Sequence, residues 1–163
     1  FAEAGADLAT AYTLATVAEA TGIVRAASDV GLPVGISFTV ETDGRLPDGT
    51  ALGDAVQQLD ADTGAGAAHL LVNCAHPEHV ASGLDAAAPW AGRIAGLRVN
   101  SSRLSHAELD EAEELDEGDL ADLATTTRTL AEALPAVRIV GGCCGTDARH
   151  VAAMWDDWSP VGA

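Results

Sequence analysis

The chain has 163 residues, 48% of them hydrophobic, enough to bury a core within one domain. Its net charge is −17 and all eight basic residues are arginine, so there is no basic stripe to follow nucleic acid or to dock on an anionic membrane. No apolar run approaches the ~20 residues a membrane-crossing helix needs.

Taken in order, residues 6–13 read as a short strand. A helix over 16–29 follows, with Thr16 and Glu19 as a capping-box pair, Val17, Ala20, Val24 and Ala27 as its apolar stripe, and Gly31 as its stop. The apolar and small residues of 33–40 suit a strand buried on both faces. The loop 41–50 carries two Asp-Gly turn signals, and Thr50 is placed to cap a helix over 51–59. A third strand spans 69–74, and Pro77 suits the first turn of a helix running through Val80 to residue 87. The fourth strand is 93–100.

Ser105 and Glu108 form another capping box, opening an acidic stretch through Asp122. Its nine carboxylates lack calcium-loop spacing and read as a solvated helix and loop. A helix over 120–134 stops at Pro135, residues 137–140 read as a buried strand, and Thr146-Asp147 opens a helical stretch over 148–154. Strand and helix alternate five times, the pattern of an α/β fold with a parallel sheet. Closed barrels and open doubly wound sheets share it, and both gather ligands at the carboxyl ends of their strands. Neither a dinucleotide fingerprint nor a phosphate-binding P-loop is present.

Those strand ends carry the sulfur. Cys74 ends the third strand, and Cys143-Cys144 follows the fifth between Gly142 and Gly145. Neighbouring side chains on a strand point to opposite faces, so two adjacent thiols share a target only where the chain bends, which glycine permits at little cost. Three readings fit: buried apolar cysteines, a strained disulfide between neighbours, or three thiolates holding one metal with an open fourth position. An odd cysteine count and a start (residues 1–7) without a basic, apolar signal fit a reducing cytoplasm. The chain begins without methionine, on residues that read as a helix end, and is expected to be a piece of a longer protein.

Asn73-Cys74, the run Gly141-Gly142-Cys143-Cys144-Gly145-Thr146 and the segment 37–50 together resemble the homocysteine S-methyltransferases. That group includes betaine- and S-methylmethionine-dependent enzymes and the homocysteine module of cobalamin-dependent methionine synthase. The resemblance covers residues 1–154. It implies a (β/α)8 TIM barrel of which this chain, residues 1–163, supplies strands four to eight as the C-terminal portion, with the N-terminal units missing. It further implies Zn2+ held by Cys74, Cys143 and Cys144, and methyl transfer from a small donor to the thiol of homocysteine, giving methionine. A part-barrel is expected to be inactive alone. Many relatives hold the substrate amino group with a glutamate at the end of the first strand present here, where this chain has Tyr12 or Ala11, depending on register. Tyr12 and Asn73 are the candidate substrate-binding residues, Asn73 with a strand-bracing role as its alternative.

His76 and His79 are assigned to the start of the following helix and to the surface rather than to the metal. Trp90, Trp155 and Trp158 are assigned to packing, and Glu41 and Asp43 either to the pocket or to a turn. The competing functions are a non-catalytic zinc or thiol module and the homocysteine module of a larger cobalamin-dependent methionine synthase.

Overall fold

A computed structural model of the chain describes residues 1–156, so Trp158 lies outside the described residues. Five strands, β1 (Ala9–Leu14), β2 (Val34–Phe38), β3 (His69–Asn73), β4 (Ile94–Val99) and β5 (Ile139–Gly142), form one parallel sheet. Their spatial order is β1-β2-β3-β4-β5, the order of the chain, without the reversal that marks a doubly wound sheet. Six helices accompany them: α1 (Val17–Asp29), α2 (Leu52–Thr63), α3 (Pro77–Ser82), α4 (His106–Glu111), α5 (Leu120–Glu132) and α6 (Ala148–Trp155).

Strand alternation divides the sheet's side chains into two sets. Ile36, Phe38, Leu70, Val72, Leu97, Val99 and Val140 pack with Val24, Val56, Leu59, Leu123, Leu130 and Met154 of the helices, forming the hydrophobic core. The other, inner face carries mainly small and polar groups, with Leu71 and Ile139 among them. On it the His69 ring occupies the space a side chain at Gly35 would need, and Leu71 and Ile139 crowd Gly96. Trp90 packs against the core, and a Cβ on Gly53 would meet its indole. The Trp155 indole N–H donates to the Val140 carbonyl at 3.2 Å, and its side chain is otherwise exposed.

Several boundaries differ from the sequence reading, each for a local reason. β1 starts later and carries a bulge between Ala11 and Leu14, where Thr13 adopts φ 61. Thr50 does not cap α2: its N–H donates to Asp48 Oδ1 at 2.9 Å and its carbonyl accepts from Leu46, so Ala51 takes the N-cap position. α2 runs on to Thr63, where Gly64 in the left-handed conformation ends it. α3 stops at Ser82 because Gly83 and Gly44 touch backbone to backbone, and a Cβ on either would overlap the other. Thr16 accepts from the Glu19 N–H at 3.3 Å, one half of the box expected there. The Ser105–Glu108 box is complete. β5 begins at Ile139 rather than Val137, and Ile139 is exposed on the inner face instead of buried.

Candidate functional site

Parallel strands in sequential order put the ends of β3, β4 and β5 side by side. Asn73 pairs with Arg98, and Arg98 with Gly141. The chain then leaves β3 at Cys74 with φ 57, a left-handed conformation that costs a non-glycine residue about 1–3 kcal/mol. Two bonds hold it there: its N–H donates to the Arg98 carbonyl at 3.0 Å, and its own carbonyl accepts from His106 Nε2 at 2.7 Å.

After β5 the Cys143 N–H donates to the Val99 carbonyl at 2.7 Å, and the Cys144 N–H to Asn100 Oδ1 at 3.1 Å. Thr146 closes the turn by donating its N–H and its hydroxyl to the Cys143 carbonyl. The two glycines expected to allow this bend do so differently. Gly145 has φ 74 and lies against Ser101 Oγ, whereas Gly142 has no positive φ and is needed because Thr146 Oγ1 fills its side-chain space.

The outcome is a cluster of three thiols. Cys74 Sγ and Cys144 Sγ are 3.6 Å apart, and all three sulfurs lie within 4.8 Å of one another. Tetrahedral zinc with Zn–S of ~2.3 Å needs sulfurs roughly 3.8 Å apart, so the donor set fits with small adjustments. No histidine or carboxylate joins the cluster among the described residues. No disulfide forms within it, since all three cysteines are free.

The thiols also share a proton unequally. A hydrogen bond from Cys74 pulls Cys143 down to about 5 against the cost of burial, helped by the Cys144 N–H and by the charge of Arg98. The same hydrogen bond and burial push Cys74 well above the thiol range. The cluster therefore gives up a proton readily, and the thiolate is the form that binds soft metals.

Beside Cys74 and Cys144 lies a cavity of about 410 Å3, bounded also by Asn100, Ser102, His106 and Asp116. The acidic stretch is thus more than a solvated surface, although Leu115 within it is 72% exposed. Ser101 Oγ donates to the Asp116 carbonyl and Ser102 Oγ to Asp116 Oδ2, folding the segment back over the thiols.

Among the candidate residues, Asn73 is buried and ties three strands. Its Oδ1 accepts from the Thr13 N–H at 2.9 Å and the Ser37 hydroxyl at 2.6 Å, and its Nδ2 donates to Thr13 Oγ1 at 2.8 Å. The β1 register puts Ala11 against the core and leaves Tyr12 on the inner face, its ring 5.0 Å beneath the Arg98 guanidinium. Glu41 reaches the site by accepting from His106 Nδ1 at 2.9 Å, whereas Asp43 accepts from the Arg45 N–H in a turn.

His76 starts α3 as expected, its Nδ1 accepting from the Glu78 N–H, but it is buried rather than on the surface. Burial, aided by the nearby charge of Arg103, holds it neutral down to about 4, against an ordinary value of 6.5. The unfolded chain takes up that proton first, so stability should fall as pH drops from 6.5 towards 4. The loss should reach up to about 3 kcal/mol. His76→Asn keeps an acceptor at the N-cap and removes the titration. Urea unfolding of both forms at successive pH values should show a flatter acid limb in the variant.

Three site residues escaped the sequence reading: Arg98, Asn100 and His106. Arg98 did leave a signal, as a charge between Leu97 and Val99 in an apolar strand. Asn100 left a fainter one, a strand-end amide like Asn73. His106 left none, because its partners Glu41 and Cys74 are distant in sequence. Burial lowers its basicity, but the bonds to Glu41 and to the Cys74 carbonyl outweigh that and raise it.

In comparisons with known proteins, the family model described as homocysteine S-methyltransferase matches residues 1–157. No curated protein matches the chain. No helix among the described residues is long and apolar enough to cross a membrane.

Proposed function

The chain belongs to the homocysteine S-methyltransferase family, and on that premise we propose that Cys74, Cys143 and Cys144 hold Zn2+ for methyl transfer to the thiol of homocysteine, giving methionine. The observation that carries this reading is the convergence of three free thiols, and of no fourth protein ligand among the described residues, at adjacent strand ends. Bound there, Zn2+ would hold the acceptor thiol as its thiolate at neutral pH. The acceptor sulfur then forms a bond to the methyl carbon of a small sulfonium or ammonium donor. The donor's own carbon–sulfur or carbon–nitrogen bond breaks, its electron pair stays on the departing neutral sulfide or amine, and the thiol proton goes to solvent.

The chain's own groups supply the rest. His106 and the β4 backbone fix Cys74, Asn100 and Thr146 fix the cysteine pair, and the neighbouring cavity gives a donor room to approach. Asn73 keeps one amide proton beyond its bond to Thr13, which we assign to the substrate, with Tyr12 beside it on the inner face.

X-ray absorption on the metal-loaded full-length protein tests the reading. Three sulfurs and one light atom should become four sulfurs when homocysteine is added, and a methyl donor should then yield methionine. An unchanged ligand set would make the site a closed structural one, and the proposal would fail.

We also propose that this sheet is an arc of a (β/α)8 barrel, strands four to eight. The unreversed strand order and the single neighbour of β1 and of β5 among the described residues support it. Two unpaired edges invite self-association. Residues 1–163 alone should sediment as oligomers and form no methionine; a stable, active monomer would refute the arc.

A further inference from the structure

Arg98 is placed where only an inner-face residue of β4 can be, between Asn73 of β3 and Gly141 of β5 and one residue from the turn that carries Cys143. Its Nε donates to the Gly142 carbonyl at 2.9 Å, and the Tyr12 ring lies 5.0 Å below the guanidinium. These contacts hold the planar group in one orientation. They leave both Nη groups without a protein acceptor among the described residues, and the side chain is exposed. No inner-face strand position among the described residues is acidic. Beside it, a Cβ added to Gly141 would meet nothing within 4 Å, so there is open space next to the guanidinium.

We propose that Arg98 selects the acceptor by taking a carboxylate, so that the substrate is a thiol carboxylic acid with its sulfur at the three-cysteine cluster and its acid group on the free Nη pair. The proposal rests on the methyl-transfer reading above and adds to it which end of the acceptor is recognised. A guanidinium presents two parallel N–H donors that match a carboxylate, and a pre-oriented fork loses little freedom on binding it. On the described inner face the acceptor's amino group meets no counter-charge, so recognition there falls to the carboxylate.

The test compares three thiols on the metal-loaded full-length protein: homocysteine, 4-mercaptobutyrate, which lacks the amino group, and 3-mercaptopropylamine, which lacks the carboxylate. Titration calorimetry and initial rates of methyl transfer are both measured. The two acids should bind within about 10-fold of each other, and the amine about 10- to 100-fold more weakly. Arg98→Met should weaken both acids by a similar factor, chiefly through KM, with kcat per bound metal little changed. Arg98→Lys should recover part of the loss, keeping the charge without the fork. The inference is overturned if the amine binds wild type as tightly as 4-mercaptobutyrate, or if Arg98→Met binds both acids unchanged. Should no thiol bind the wild-type protein, the methyl-transfer reading falls and this inference with it; binding without discrimination removes this inference alone.

Discussion

Cys143→Ser should weaken metal binding at least ~10²-fold and lower methyl transfer with it while leaving the fold intact. Cys143 is one of the three soft sulfur ligands of the site, and in the metal-free cluster the Cys74 hydrogen bond pulls its thiol down to about 5 against the cost of burial. A serine hydroxyl stays protonated at neutral pH and is a hard, weak ligand for zinc. Tight zinc sites bind with about 10–16 kcal/mol over four ligands, so losing one thiolate costs roughly 3 kcal/mol, or at least ~10²-fold in affinity. The backbone bonds that shape the turn, Cys143 N–H to Val99 and Thr146 to the Cys143 carbonyl, do not involve the thiol. Unfolding stability of the metal-free forms should therefore agree within about 1 kcal/mol. Metal content by elemental analysis, read beside methionine formation, checks the pair of losses. A variant that keeps both its zinc and its turnover would show that the cluster is not the metal site.

Asn73→Ala should produce the largest loss of stability, about 3–5 kcal/mol. The substitution leaves the Thr13 N–H, the Thr13 hydroxyl and the Ser37 hydroxyl without their partner, at about 1–3 kcal/mol for each group that stays dry. Set against the 5–15 kcal/mol of a typical domain, that is a large share. Because Cys74 is the next residue, its strained backbone should relax and metal affinity should fall as well. The measurement separates the two roles of Asn73. A brace lost gives a lower urea midpoint and weaker metal binding, whereas a pure substrate contact raises KM for the acceptor and moves neither. Unchanged stability would mean the three-strand tie is worth little.

Legibility in the sequence followed the range of the interaction concerned. The alternation of strands and helices was readable because hydrophobic period, caps and breakers are local: Thr16, Ser105 and Asp147 each bond within their own first turn. Where two local signals competed, the reading slipped. Thr50 suits a cap by its position, but the Asp48 side chain claims its N–H first. His76 reads as a surface residue because nothing in its neighbours shows that α3 packs on α5.

By itself the sequence determined the α/β class, the five strand–helix units, the strand-end placement of every cysteine and the family, since each of these is written in short-range pattern or motif. Tertiary structure alone decided which groups meet at the site. It kept Ala11 in register with core-facing Ile36, which turns Tyr12 inward, set Tyr12 under Arg98, and joined Glu41 to His106 across 65 residues of chain. The reason is geometric: parallel pairing brings distant strand ends within one side chain's reach, and the bulge and left-handed turn that aim those side chains arise only once neighbouring strands pair.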